Sequence, residues 1–535
     1  MRKFAALWLA AMILAVVVGG CSGKADGPKG QEMLRARSAR PSGAKKVLLL
    51  VADSLMYQSI DLGVRSNQLP TFKYLIENGQ YFKDVVSAFP TMSVTIDSTI
   101  VTGAQPDRHR IPGLAWYSAE ERRVVNYGTG PMEVLRTGAA QVLDDLLIHL
   151  NGKHLNAELR TIYEDLAARG LKSGSVNGLI YRGKTDHALT LPAAVRLPLG
   201  KPRTLGIKGP DLFTFGLLSN PLDGMKEVPD GIANKLGFSD DYAIETVQYL
   251  VENDRLPDFL YVYLPDLDQR LHQKGPSDQE GLRRLDGRLR KLLRAFGSEE
   301  EAKKRATIIL AGDSGMSQIH RAGSQPVVDL TELLRDYAIL PPGRTATDRE
   351  QIALAVNETA AYVYSLNSGP FLDELAERLH AEPRIGIVAW KENDWIRVKR
   401  GGVSGELKFK KQGDWTDPYG QTWSWQGSPE ALDMKTERKR ITFGDYPDAL
   451  QRLFSSLHSH PGKFLVVTSL PGYELSGAGS PTHIGGGGHG SLHRLESVVP
   501  LIIYGTDSAP NVHRLVDLKS YILGLFPDRA SPSVR

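Results

Sequence analysis

Carboxylates stand at the ends of several apolar runs in this sequence, and two histidines and a set of hydroxyls follow them. KVLLLVAD ends in Asp53, FLYVYLPD ends in Asp266 with Asp268 two residues on, and ATIILAGD ends in Asp313. His272 follows Asp268 by four residues in LPDLDQRLHQKGP, and His489 sits in the run GGGGHG just before VVPLIIYG. A single Asp after a strand reads as the cap of the next helix. Carboxylates at the same end of three strands repel one another unless a cation joins them, so the set favours a metal site. DxxxH alone is a common spacing and does not decide the matter. A histidine among glycines is ordinarily a loop residue, but glycine also lets the backbone bend so that an imidazole reaches the same edge.

The hydroxyls lie in FPTMSVTIDSTIVTG, where Thr91, Ser93 and Thr95 open a helix-like stretch. The ordinary reading of a hydroxyl there is the N-cap. The same position suits a nucleophile, since a helix N-terminus stabilises phosphate and a nearby metal eases deprotonation of the hydroxyl. The residues by themselves leave both readings open.

The elements that must position these groups follow from the apolar pattern. KVLLLVAD, FLYVYLPD, ATIILAGD, KFLVVTS and VVPLIIYG are nearly continuous apolar runs, as strands buried on both faces require. Between them lie helical patterns: LPTFKYLIENG, LRTIYEDLAARG, DDYAIETVQYLVEN, QEGLRRLDGRLRKLLRAF and DLTELLRDYAIL. The alternation predicts an α/β fold with a mostly parallel sheet and helices on both faces. A ligand site then falls at the carboxyl ends of the strands. Long insertions are expected near residues 105–155 and 190–235, which are rich in Gly and Pro. A third, near 384–445, alternates around RGG like a hairpin.

The chain has 535 residues, 41% hydrophobic and 24% charged, with a formal net charge of +4. That charge is too small for a nucleic-acid binder, and no basic stripe interleaved with aromatics appears. MRKFAALWLAAMILAVVVGGC has Arg2 and Lys3, a short apolar run and then Cys21, the sole cysteine. This reads as an export signal over residues 1–20. VGGC resembles the lipobox of bacterial lipoproteins, which implies acylation of Cys21 and attachment to the cell envelope. Residues 21–44, rich in Gly, Ser, Pro and basic residues, read as a tether that anionic headgroups attract. Residues 45–530 read as one domain.

The segments LLLVAD, FPTMSVTIDSTIVTGAQPDRHRIPG, DLDQRLHQKGP, LAGDSGM and GGGGHGSLHRLESVVPLIIYG resemble, in this order, the motifs of the alkaline phosphatase superfamily. The nearest branch is the type I phosphodiesterase/nucleotide pyrophosphatase group. The resemblance spans about residues 45–505 and implies an alkaline-phosphatase-like sandwich with a mixed, mostly parallel sheet and two metals at the strand ends. It implies that Asp268, His272 and His489 hold one metal, usually zinc. Asp53, Asp313 and the nucleophile, which falls on Ser93, hold the other. Asp266 becomes a neighbour in the loop. The implied activity is hydrolysis of small phosphoric esters, diesters favoured, through a phosphoserine.

Two positions depart from the pattern. Ser314 stands in LAGDSGM where the family carries histidine, and it is a weak ligand. The second site is then expected to be weak or to take magnesium or manganese, unless His320 or Asp97 completes it. Ile96 stands where nucleotide pyrophosphatases carry a phosphate-holding asparagine, which argues against nucleotide diesters. A non-catalytic or weakly active envelope lipoprotein that keeps the fold is the alternative reading. A sulfatase fits less well, because MSVTID lacks the C/S-x-P-x-R context.

Overall fold

Alternate side chains of strand β1 (Lys46–Ala52) enter two different cores. Val47, Leu49 and Val51 join one, and Leu48, Leu50 and Ala52 join the other. The strand is apolar from Val47 onward because helices cover both of its faces. The computed structural model of the chain describes residues 35–526, residues 39 and 42 excepted. Cys21 and nearly all of the tether lie outside the described residues.

The strands that follow are β2 (Gln80–Val86), β3 (Ser173–Val176), β4 (Leu212–Thr214), β5 (Phe259–Leu264) and β6 (Ala306–Gly312). Next come β7 (Ile352–Asn357), β8 (Ala360–Ser365), β9 (Ile385–Glu392), β10 (Trp395–Arg400) and β11 (Leu407–Thr416). The last are β12 (Thr422–Gly427), β13 (Met434–Glu437), β14 (Arg440–Phe443), β15 (Lys463–Ser469) and β16 (Val498–Tyr504). Seven strands form the first sheet in the order β2-β16-β6-β1-β5-β3-β4. The run from β6 to β4 is parallel, whereas β16 is antiparallel to both β6 and β2. The carboxyl ends of β1, β5 and β6 therefore share one edge.

The main helices are α1 (Pro70–Glu77), α2 (Ser93–Thr102), α3 (Ile162–Ala168), α4 (Asp240–Glu252), α5 (Asp266–Lys274), α6 (Gln279–Ala295), α7 (Ala449–Leu457) and α8 (Leu518–Gly524). The first-sheet face that carries Val47 packs α2, α3 and α8, and the face that carries Leu48 packs α1, α4 and α6. No side chain of its own N-cap residue caps α1. Asp286 of α6 does so from a distance, accepting the Thr71 and Phe72 amides, each at 2.9 Å, and the Thr71 hydroxyl at 3.0 Å. Four amides at a helix start lack partners within the helix, so this buried carboxylate joins the two helices while completing one of them.

A second sheet runs β7-β8-β15-β9-β10-β11-β14-β13, with β12 paired to β11. KFLVVTS, which reads like a parallel strand of the first sheet, is β15 of this one, antiparallel to β8 and β9. It is apolar because Phe464 and Val466 enter one core and Leu465 and Val467 another. Two-sided burial gives a strand the same composition in either sheet. DLTELLRDYAIL forms a helix only over Leu330–Leu333. Its end is drawn off to β7, where the Leu340 amide donates to the Ile352 carbonyl at 2.8 Å, and Pro341 and Pro342 follow. Between residues 105 and 155 the chain forms short helices, a two-stranded hairpin (Ala115–Ser118 with Arg123–Asn126) and a π-helix at Asp145–His154. Among the described residues no helix is long and apolar enough to cross a membrane.

Candidate active site

The register of the parallel strands sets the frame of the site. Ala52 pairs with Gly312 on one side and Leu264 on the other, so Asp53, Asp313 and the start of α5 emerge side by side. The Asp53 amide donates to the Leu264 carbonyl at 3.0 Å. The stretch from Asp266 to Lys274, read from sequence as a loop, is helix α5. Its pitch places Asp268 and His272 on one face, four residues apart.

The structure brings Asp268, His272 and His489 together. Asp268 Oδ1 lies 3.2 Å from His272 Nε2 and 3.4 Å from His489 Nε2. Donors held at 2.0–2.1 Å by a tetrahedral ion stand about 3.4 Å apart, so these separations match edges of such a shell. Each imidazole is oriented through its other nitrogen. His272 Nδ1 donates to the Gly487 carbonyl at 2.8 Å, and His489 Nδ1 donates to the Thr91 carbonyl at 2.6 Å. A carbonyl only accepts, so both Nδ1 atoms carry hydrogen and both Nε2 lone pairs are left for a cation. Burial opposes charge on His272, yet Asp268 and Glu358 push its pKa up to about 10. His489 is raised likewise to about 10 against burial, by Glu358 first and then Asp268. Carboxylates that hold a proton on these rings also favour a divalent ion in its place.

The glycine run makes this approach possible. A Cβ at Gly486 would lie 1.9 Å from the His272 carbonyl oxygen. A Cβ at Gly490, which has φ +134°, would lie 2.4 Å from the Asn357 carbonyl oxygen.

The second set is rich in carboxylates. Asp53 and Asp313 are buried, and among the described residues Asp53 Oδ1 and Asp313 Oδ2 have no hydrogen-bond partner. Burial raises the pKa of Asp53 well above the usual range, and Asp268 and Asp313 add to it; Asp313 is raised chiefly by burial. Bare buried carboxylate oxygens on adjacent strand ends are what a cation would satisfy. Tyr263 donates to Asp53 Oδ2 from β5, and Tyr261, two residues back on the same face, donates to Asp97 at 2.5 Å.

Of the three hydroxyls, only Ser93 faces this set. It is the first residue of α2, the N-cap is Met92, and no side chain caps the helix. Ser93 Oγ donates to Asp53 Oδ2 at 3.3 Å. Thr91 is buried and accepts the Gly490 amide at 2.7 Å, which laces the histidine loop to the helix start. Thr95 is buried, and Ile96 is buried in the core on this side of the first sheet.

Ser314 is fully buried beside the second set, and its hydroxyl lies against that of Ser54. His320 is exposed and packs edge-on against Tyr473, away from these carboxylates. Asp97 lies one turn along α2 from Ser93 with Oδ2 unpartnered among the described residues, and burial pushes its pKa up to about 7. Asp266 points elsewhere and pairs with Arg288 at 3.0 Å and with Lys235.

Sequence reasoning missed Ser54, Glu358, His483 and Glu474. Glu358 Oε1 is 3.6 Å from His272 Nε2, and His483 stacks on His272 at 4.2 Å between ring centres. Glu474 is buried and takes the His483 amide and its Nδ1. His483 alone carried a signal, as a second histidine six residues before His489. A further acid–histidine group, Asp145 with His149 and His154, does not fit a cation. Arg123 already binds both Asp145 oxygens at 2.7 and 2.8 Å.

A profile of the type I phosphodiesterase / nucleotide pyrophosphatase family matches residues 47–424. Murine ectonucleotide pyrophosphatase/phosphodiesterase 5, solved as an inactive variant in complex with AMP, resembles the chain with a TM-score of 0.53 at 16% identity, over 91% of this chain and 97% of that one. Phosphonoacetate hydrolase from Sinorhizobium meliloti 1021, in complex with phosphonoacetate, gives a TM-score of 0.53 at 16% identity, over 90% and 95%. At these identities the likeness is one of fold. No curated protein sequence matches the chain.

Proposed function

The chain belongs to the type I phosphodiesterase / nucleotide pyrophosphatase family and is a phosphoester hydrolase, and on that premise we propose that Ser93 is its nucleophile in a metal-assisted reaction. The observation that carries the proposal is the contact of Ser93 Oγ with Asp53 Oδ2 at the start of α2, beside the group Asp268, His272 and His489. Divalent cations, when bound, supply positive charge at the attacking and leaving oxygens and ease deprotonation of the hydroxyl.

Ser93 gives its proton toward Asp53 Oδ2 as Oγ bonds to phosphorus and the bond from phosphorus to the leaving oxygen breaks, the departing alkoxide taking a proton from solvent. The first amides of α2 point at the phosphoryl oxygens and stabilise their charge. Water then attacks the phosphoserine from the side of Asp268, the Oγ–phosphorus bond breaks, and Ser93 regains its hydrogen.

The donor sets differ in kind. Two imidazoles and a carboxylate suit zinc. Asp53, Asp313 and Ser93 offer only oxygen, which suits magnesium or manganese. The proposed substrate is a small phosphoric diester, in keeping with the family's chemistry. Ile96 stands where nucleotide pyrophosphatases carry a phosphate-holding asparagine, and it is buried in the core, which argues against nucleotides. We further propose that the protein is exported and held at the cell envelope by a lipid on Cys21.

Turnover of bis-p-nitrophenyl phosphate against p-nitrophenyl phosphate, with zinc, manganese or magnesium added, tests the reading. The diester is expected to turn over faster. Ser93→Ala is expected to lower turnover by at least about 10³-fold with folding unchanged, consistent with loss of a covalent nucleophile. Retained activity in that variant would show that another group attacks phosphorus.

A further inference from the structure

His272 is fixed at one atom and flanked on both faces. Its Nδ1 donates to the Gly487 carbonyl at 2.8 Å. On one side His489 lies 5.2 Å away between ring centres, tilted by 32°. On the other side His483 lies 4.2 Å away and stacks, with 28° between the ring planes. The single hydrogen bond lets the ring rock about Nδ1, and rocking carries Nε2 away from Asp268. The neighbouring ring faces are what limit that motion.

His483 limits it only if His483 is itself held. It belongs to the glycine-rich stretch between Ser476 and His489, and Ile484 beside it is exposed. Glu474 supplies the hold. It is fully buried and opens a short strand, Glu474–Ser476, that pairs with Val327–Asp329. Its own amide donates to the Pro326 carbonyl at 2.9 Å. Its two carboxylate oxygens accept the His483 amide at 2.7 and 2.9 Å, and Oε2 accepts His483 Nδ1 at 3.2 Å. Among the described residues no lysine or arginine pairs with this carboxylate, and His483 is its sole hydrogen-bond partner. A buried carboxylate is costly unless its oxygens are hydrogen-bonded, and here one loop residue does all of that bonding.

His483 does not share an ion with His272. Donor atoms of His272, Glu358 and His483 do lie close enough for a cation. An imidazole holds a metal in the plane of its ring, however, and two stacked planes do not meet within bonding distance of both nitrogens. We propose that Glu474 and His483 are positioning residues for the first metal: Glu474 fixes His483, and the His483 ring, stacked on His272, keeps His272 Nε2 aimed at the ion. A metal-bound imidazole is electron-poor, and a ring whose Nδ1–H faces a carboxylate is electron-rich, so the two faces attract. The inference rests on the reading that Asp268, His272 and His489 hold zinc, and extends it to two residues outside that shell.

Zinc affinity of the full chain, measured by competition with a chromophoric chelator, and the visible spectrum of the cobalt-substituted protein test this. His483→Phe keeps a ring, His483→Asn keeps a donor for Glu474 without a ring, and His483→Ala keeps neither. The Phe variant is expected to bind zinc within about threefold of the wild type, with the cobalt bands unmoved. The Asn and Ala variants should each bind zinc weaker by about tenfold or more and shift those bands. Glu474→Gln leaves the ring but loosens its hold, so it should weaken zinc in the wild type and add nothing in the Ala variant. Equal losses in Phe, Asn and Ala would make His483 a ligand and overturn its positioning role. Wild-type affinity in the Asn or Ala variant overturns it too. Should a variant at position 483 fail to fold, Glu474→Gln still decides, since unchanged affinity there refutes the hold. A wild-type chain that binds no zinc would refute the metal reading itself, and the positioning role with it.

Discussion

The Ser54 hydroxyl lies 3.1 Å from the Ser314 hydroxyl and donates to Asp268 Oδ1 at 2.8 Å. Two small polar groups therefore bridge the nitrogen-rich and the carboxylate-rich sets. The backbone cooperates, since the amides of Ser54 and Ser314 both donate to Asp313 Oδ1, at 2.9 and 2.6 Å. Ser54 also sits at φ +57°, a conformation glycine adopts more readily. An imidazole at position 314 would have to displace the Ser54 side chain.

From this contact, Ser314→His alone is expected to leave the second metal as loosely held as in the wild type. The double variant Ser54→Gly with Ser314→His has room for the ring and should bind the second zinc at least tenfold more tightly in chelator competition. An equal gain from the single variant would show that Ser54 does not block the site.

The first set should behave differently. After dialysis against a weak chelator, the wild type is expected to keep about one equivalent of zinc by elemental analysis, as a shell of two imidazoles and a carboxylate implies. His272→Ala and His489→Ala should each reduce it to below a tenth. Zinc retained in either variant would remove that histidine from the shell.

His109 offers a pH test away from the site. It is fully buried; its Nε2 lies 3.0 Å from the Thr99 hydroxyl, and its Nδ1 accepts the Ile111 amide at 3.1 Å. Burial pushes its pKa down to about 3. Unfolded, it titrates near 6.5, so below that pH the unfolded chain binds a proton that the native chain refuses, and stability falls as pH falls toward 3. His109→Gln lacks this slope. The stability gap between wild type and variant, measured by urea unfolding, should narrow by about 2 kcal/mol between pH 8 and pH 5. A constant gap would mean that the ring is protonated in the folded protein.

Cys21→Ser should abolish lipid attachment and leave the precursor unprocessed by lipoprotein signal peptidase, which a larger apparent mass on a gel would show. Continued labelling with a fatty-acid probe would refute the anchor.

The residues that converge at the strand ends were legible because their chemistry coincides with topology. Asp53, Asp268 and Asp313 follow apolar runs, and parallel strands carry such residues to one edge. Ser54, Glu358 and Glu474 were not legible. Ser54 depends on one positive φ at a strand end. Glu358, also at positive φ, occupies the turn between β7 and β8, and Glu474 follows β15. Their places depend on how the second sheet meets the first, which no local pattern encodes. The same limit applies to KFLVVTS, whose composition records burial on both faces but not the sheet it joins.

The position of β16 governs when this fold can close. Within the described first sheet, β2 pairs only with β16, and β16 also covers the edge of β6. The Thr91 carbonyl and its histidine partner are 398 residues apart in the chain. At 5–20 residues per second, a ribosome delivers the second of them about 20–80 s after the first. During that interval β2 is unpaired and β6 presents an open hydrogen-bonding edge, the kind of surface that recruits a wrong strand. The nascent chain is therefore most vulnerable to mispairing late in its synthesis, and it acquires hydrolytic competence only as its final strand docks.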